Sequence, residues 1–129
     1  MEHSDLGMRM KAYEDINRYY LTRRMPMIIR VDGKAFHNYT KKFKKPYDEI
    51  FVNAMCHTGS ALLREIQGAK LAYIQSDEIS ILATDYAELN TQAWFDKNLQ
   101  KIVSVSASVA TAAFNFIMYN GSDDILPTF

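Results

Sequence analysis

The chain has 129 residues, 48% hydrophobic and 23% charged, and its 15 basic and 15 acidic residues cancel. That composition excludes a disordered segment and suffices for one domain with one core. Neutrality argues against bulk coating of a polyanion, and the lone cysteine, Cys56, excludes an internal disulfide or a multi-cysteine zinc site.

The N-terminus is polar and mixed in charge, unlike a secretory signal. No apolar run is expected to span a membrane, and a reducing cytoplasm is the expected location. Leu6–Leu21 reads as a helix, with Met10, Tyr13, Ile16 and Tyr20 spaced by three and four on one face. Pro26 marks the entry to a strand, Met27–Asp32, whose alternation separates Met27, Ile29 and Val31 from Ile28, Arg30 and Asp32. A carboxylate ending an apolar strand is unusual. Gly33 follows it, and a glycine there permits a turn and close approach of a ligand to the backbone.

Ala35–Pro46 reads as a loop carrying the run Lys41-Lys42-Phe43-Lys44-Lys45-Pro46. Between Arg18 and Lys45 lie nine basic residues and one acid, Asp32, enough for a local phosphate-attracting patch on a neutral protein. Asp48 is a helix N-cap. Phe51, Met55, Thr58, Leu62 and Ile66 then share one helical face. Gly59 inside that helix costs about 1 kcal/mol against alanine, which points to close packing there.

Gly68 ends the helix and a hairpin follows, Leu71–Ile74 against Ile79–Leu82, about Ser76-Asp77-Glu78. Adjacent carboxylates at a tight turn repel unless a cation neutralises them. Thr91–Tyr119 carries both a helical spacing (Phe95, Leu99, Ile102, Ser106, Val109, Ala113, Phe116) and a strand-like alternation from Val103 to Val109. With no breaker before Asn120-Gly121, one long helix is favoured. Ile125–Phe129 reads as the approach to a further strand.

The expected order, helix, strand, helix, two strands and helix, is α+β and ferredoxin-like, an antiparallel sheet with helices mainly on one face. Neighbouring strands would then bring Asp32 to the Asp77 turn. Two carboxylates so placed suit magnesium, which takes one or two carboxylates and completes its shell with substrate phosphates and water. The Gly33 carbonyl is a further candidate ligand, and the Lys41–Lys45 run a candidate phosphate seat.

The segments Ile28–His37, Lys44–Glu49, Tyr73–Leu82 and Trp94–Phe114, in that order and spacing, resemble the tRNA-His guanylyltransferase family, including its 3′–5′ polymerase-like branch that repairs tRNA 5′ ends. The resemblance implies a polymerase-type palm over residues 1–129, the N-terminal part of a longer family member. It implies two Mg²⁺ ions and nucleotide addition to the tRNA 5′ end after activation by ATP or GTP. It assigns metal binding to Asp32, Gly33 and Asp77, catalysis to Asp32, Asp77 and the neighbouring motif carboxylate Glu78, and nucleotide contacts to Lys34, Ala35, Phe36, His37, Lys45, Ser76 and Lys101, with Lys97 one turn earlier. Phe36 reads equally as a base-stacking ring or a core aromatic. Asn98 stands where some members carry a basic residue. The expected partners are tRNA, GTP and ATP, with a homo-tetramer and no membrane. A truncated, non-catalytic nucleotide- or tRNA-binding remnant and a palm-fold nucleotide cyclase are the alternatives.

Overall fold

The structure is a computed structural model that describes residues 4–119 and 129. Its elements are α1 (Asp5–Asp15), β1 (Met27–Asp32), α2 (Phe36–Thr40), α3 (Glu49–Glu65), β2 (Ala69–Gln75), β3 (Glu78–Ala83), a 3₁₀ turn (Trp94–Lys97) and α4 (Leu99–Met118). The three strands form one antiparallel sheet in the order β1-β3-β2.

Alternation fixes which side of the sheet is covered. Met27, Ile29 and Val31 of β1 and Ile79, Ile81 and Ala83 of β3 are buried, while Ile28, Arg30 and Asp32 face out. Helices α3 and α4 pack on the buried side and against each other. From α3 come Ala54, Met55, Leu62 and, just past its end, Ile66. Gly59 is close-packed as expected: a Cβ there would stand 3.0 Å from Ile74 Cδ1 of β2. Gly68, at φ 81°, turns the chain from α3 into β2, a conformation that costs glycine little.

Three expectations change. The first helix stops at Asp15, capped by the Ser4 side chain, and none of its residues is buried, so its apolar spacing serves no contact within the described residues. A short helix, α2, forms inside the expected loop. The long helix begins at Leu99, capped by Asn98, because the 3₁₀ turn before it holds Phe95, Asp96 and Lys97 at positive φ. Its buried residues are Ile102, Ser106, Ala110 and Phe114, a stride of four, whereas Phe116 is 83% exposed. Its 20 residues are long and apolar enough, by length and composition, to cross a membrane, because Lys101 is the sole charge in Leu99–Met118. Here its buried stripe lies in the core. The breaker Asn120-Gly121 and, Phe129 apart, the expected strand approach Ile125–Phe129 lie outside the described residues.

Candidate active site

The strand register decides where the acidic residues meet. Asp32, last in β1, pairs with Glu78, first in β3, so both side chains sit on the open face at one corner of the sheet. Gln75 pairs with Glu78 from the other side, which leaves Ser76-Asp77 as a two-residue turn. Ser76 adopts φ 54° to close it. The Gly33 N–H donates to the Asp77 carbonyl at 3.1 Å, tying the exit of β1 to that turn. Asp32, Gly33, Asp77 and Glu78 are thus drawn together by backbone geometry. Among the described residues, none of the three carboxylates takes part in an ion pair.

Gly33 has a packing reason as well. A Cβ there would fall 2.6 Å from Phe36 Cδ2, and closer still to Cγ and Cδ1. Phe36 is 1% exposed and its ring meets Tyr39, Phe51, Phe114 and Phe129 at centroid distances of 5.3–6.3 Å. Of the two readings of Phe36, burial of the ring favours the core aromatic over the base-stacking ring. Ala35 takes φ 55° to open α2, and it stays exposed with Lys34 and His37 around the corner.

Beside the turn lies a cavity of about 510 Å³. Ile74, Gln75 and Ser76 line one side, and Lys44, Lys45 and Phe51 are among the residues lining the other. Asp48 shapes this wall. Its side chain accepts from the Phe51 N–H at 3.1 Å and the Lys44 N–H at 3.2 Å, pinning the lysine loop to the start of α3. The Phe51 bond, opposed by burial and seconded by the Lys44 N–H, holds its carboxyl below the ordinary carboxylate value. Ser76 and Lys45 therefore share one cavity, which reaches the turn at Ser76, next in the chain to Asp77.

Lys101 is not brought there. It lies in the first turn of α4, and the Leu99 N–H donates to the Tyr19 carbonyl at 2.9 Å, at the entry end of β1. Asp32 ends that strand. Lys97 is committed elsewhere: 1% exposed, its ammonium donates to the carbonyls of Thr22 (2.6 Å) and Met25 (2.7 Å) and lies 3.4 Å from Asp85. Burial pushes the Asp85 carboxyl up, but the Arg24 N–H and the Lys97 ammonium outweigh it and hold the group below its usual value. The basic segment is divided accordingly. Arg18 pairs with Glu14 and Asp15, Arg23 with Asp96, and the Arg24 guanidinium donates to the carbonyls of Glu88 and Leu89. Sequence reasoning missed this Asp85–Lys97 clamp, which only the fold reveals.

The donor set can be tested against magnesium. No group of three or more His, Cys, Asp or Glu side chains converges to hold a metal among the described residues. Asp32 and Glu78 in one cross-strand pair, with Asp77 adjacent, instead supply the small carboxylate set magnesium takes when phosphates and water fill its remaining positions. The residues fit an ion that arrives with a phosphate-bearing ligand.

Comparison with known proteins agrees with this architecture. A family profile described as tRNAHis guanylyltransferase matches residues 7–128. A solved bacterial tRNA(His) guanylyltransferase-like protein in complex with GTP superposes with a TM-score of 0.90 at 52% identity, covering 97% of this chain and 60% of that one. The tRNA(His) guanylyltransferase of Schizosaccharomyces pombe is 36% identical over 109 residues, 83% of this chain but 39% of its own length. The Saccharomyces cerevisiae enzyme shares the fold, with a TM-score of 0.73 at 20% identity over 91% of this chain and 53% of that one. The chain thus spans 39–60% of the length of these relatives.

Proposed function

The chain belongs to the tRNAHis guanylyltransferase family, and we propose that it is a magnesium-dependent nucleotidyltransferase that extends tRNA at its 5′ end in the 3′–5′ direction. The observation that carries this reading is the backbone pairing that sets Asp32, Asp77 and Glu78 at one corner of the sheet, with a cavity lined by Ser76 and Lys45 beside the turn. In this reading, Asp32, Asp77 and the Gly33 carbonyl hold two Mg²⁺ ions, with Glu78 beside them. When bound, such ions neutralise phosphate charge and lower the pKa of an attacking hydroxyl.

The chain's own residues supply position and charge. Lys45 and Ser76 hold the triphosphate and sugar of ATP or GTP in the cavity they line, while Lys34, Ala35 and His37, exposed after β1, supply further nucleotide contacts. Lysine serves there as a point charge. The register of β1 and β3 fixes the carboxylate spacing before substrate arrives, so little reorganisation remains for the reaction. In the first step the tRNA 5′-phosphate attacks the α-phosphorus of ATP or GTP, releasing pyrophosphate and leaving an adenylylated or guanylylated 5′ end. In the second, the 3′-hydroxyl of an incoming GTP attacks that activated phosphorus and the nucleoside monophosphate leaves. A cytoplasmic location belongs to the same proposal, and Lys101, remote from this corner, would contact nucleotide only across an assembly of copies.

The test is to incubate the purified chain with Mg²⁺, ATP, GTP and a tRNA lacking its first nucleotide. A tRNA one nucleotide longer at its 5′ end supports the proposal, and its loss in Asp32→Ala ties it to the corner. Magnesium-dependent binding without product would favour a nucleotide-binding remnant, and a cyclic nucleotide from GTP alone a cyclase.

A further inference from the structure

We propose that the open face of the sheet seats unpaired RNA, with Tyr73 as its stacking platform. This rests on the tRNA-directed reading above and specifies where the strand lies.

Register arranges that face in three rows. Ile28, Leu82 and Leu71 form an apolar row; Arg30, Ser80 and Tyr73 the middle row; Asp32, Glu78 and Gln75 the carboxylate row. Alternate residues on a strand are about 6.6 Å apart, so the middle row is one step from the acidic corner. Both large helices lie on the other side of the sheet, and Tyr73 and Ile28 are 61% and 71% exposed. Arg30 Nε donates to Ser80 Oγ at 3.1 Å, which anchors the guanidinium at the centre of the face. Among the described residues it has no carboxylate partner.

The chemistry of these rows selects the occupant. An exposed aromatic ring in the same row as an arginine, two strands away across an open antiparallel sheet, offers a base one π-face and a phosphate one cation. A protein partner or a second copy would have to bury the Asp32–Glu78 pair against itself, at the desolvation cost of unpaired charges. An RNA strand running from Tyr73 toward Asp32 meets that row instead with its terminal phosphate, which divalent cations can bridge. Charge complementarity at Arg30 and continuity with the carboxylate corner therefore both favour RNA.

The probe is a fluorescently labelled tRNA acceptor-stem hairpin with unpaired terminal nucleotides, titrated with the full chain in Mg²⁺ and followed by anisotropy. Tyr73→Ala is expected to weaken binding about tenfold or more, and Tyr73→Phe, which keeps the ring, to stay within about twofold of the parent. Tyr73→Leu, which keeps apolar bulk without a π-face, should lose as much as Tyr73→Ala. Arg30→Gln should weaken binding and lower the salt dependence by about one phosphate contact. Nitration of Tyr73, read by mass spectrometry, should proceed in the free chain and be blocked by the hairpin. Parent-like binding by Tyr73→Ala and Tyr73→Leu would overturn the proposal, as would a Tyr73 shielded in an RNA-free dimer. Titration of the parent with GTP and Mg²⁺ reads the enzymatic assignment separately, so the two failures are distinguishable.

Discussion

Replacing Gly33 by alanine tests whether the carboxylate corner and the core are built as one piece. The new methyl would stand 2.6 Å from Phe36 Cδ2 and nearer to two other ring atoms. The ring has no free direction, being packed on Tyr39, Phe51, Phe114 and Phe129. Overpacking of this kind costs about 1–3 kcal/mol, and expelling the ring outright approaches the ~3–5 kcal/mol of a Phe→Ala truncation. Gly33 has no positive φ, so the expected loss, about 2–4 kcal/mol, is steric. With a urea slope of about 2 kcal/mol/M the midpoint should fall by about 1–2 M. Phe36→Leu alone should also destabilise, yet in the Gly33→Ala background it should restore part of the loss, giving a coupling of about 1 kcal/mol or more. An unchanged midpoint in Gly33→Ala, or strictly additive losses in the double variant, would refute the reasoning.

Three further outcomes follow from the same geometry. Lys97→Met leaves Asp85 buried without its ammonium and strips a donor from the Thr22 and Met25 carbonyls, and should cost about 3–5 kcal/mol in urea denaturation. Because the folded-state carboxyl of Asp85 is held below its usual value, its contribution is complete above the unfolded pKa and fades as pH falls through the lower folded one. Midpoints measured between about pH 6 and 2 should therefore fall less for Asp85→Asn than for the parent. Asp48→Ala should free both the Phe51 and Lys44 N–H groups, loosening the lysine loop and weakening GTP binding in a titration more than it alters the sheet.

What was legible in the sequence is what burial dictates residue by residue. The alternation of β1 and β3 holds because one face of each strand is in the core and the other open. The carboxylates stood out because strand ends and tight turns are poor places for uncompensated acids. The start of α4 was hidden because Phe95, Asp96 and Lys97 adopt positive φ without glycine, which the letters do not announce. Lys97 and Asp85 look like surface residues, since only the fold shows that the ammonium is enclosed by Thr22 and Met25. Phe36 stayed ambiguous because a loop aromatic can turn inward or outward, and what lies under Gly33 decides it. The spacing of α1 predicted a buried face that meets nothing among the described residues.

The most direct measurement is calorimetric titration of GTP into the parent chain and into Asp32→Asn, each with and without Mg²⁺. If the corner holds divalent ions together with a triphosphate, the parent should bind GTP far more tightly in Mg²⁺ and the variant should lose most of that difference. Equal affinities with and without the ion, or a variant that keeps the full magnesium effect, would contradict it.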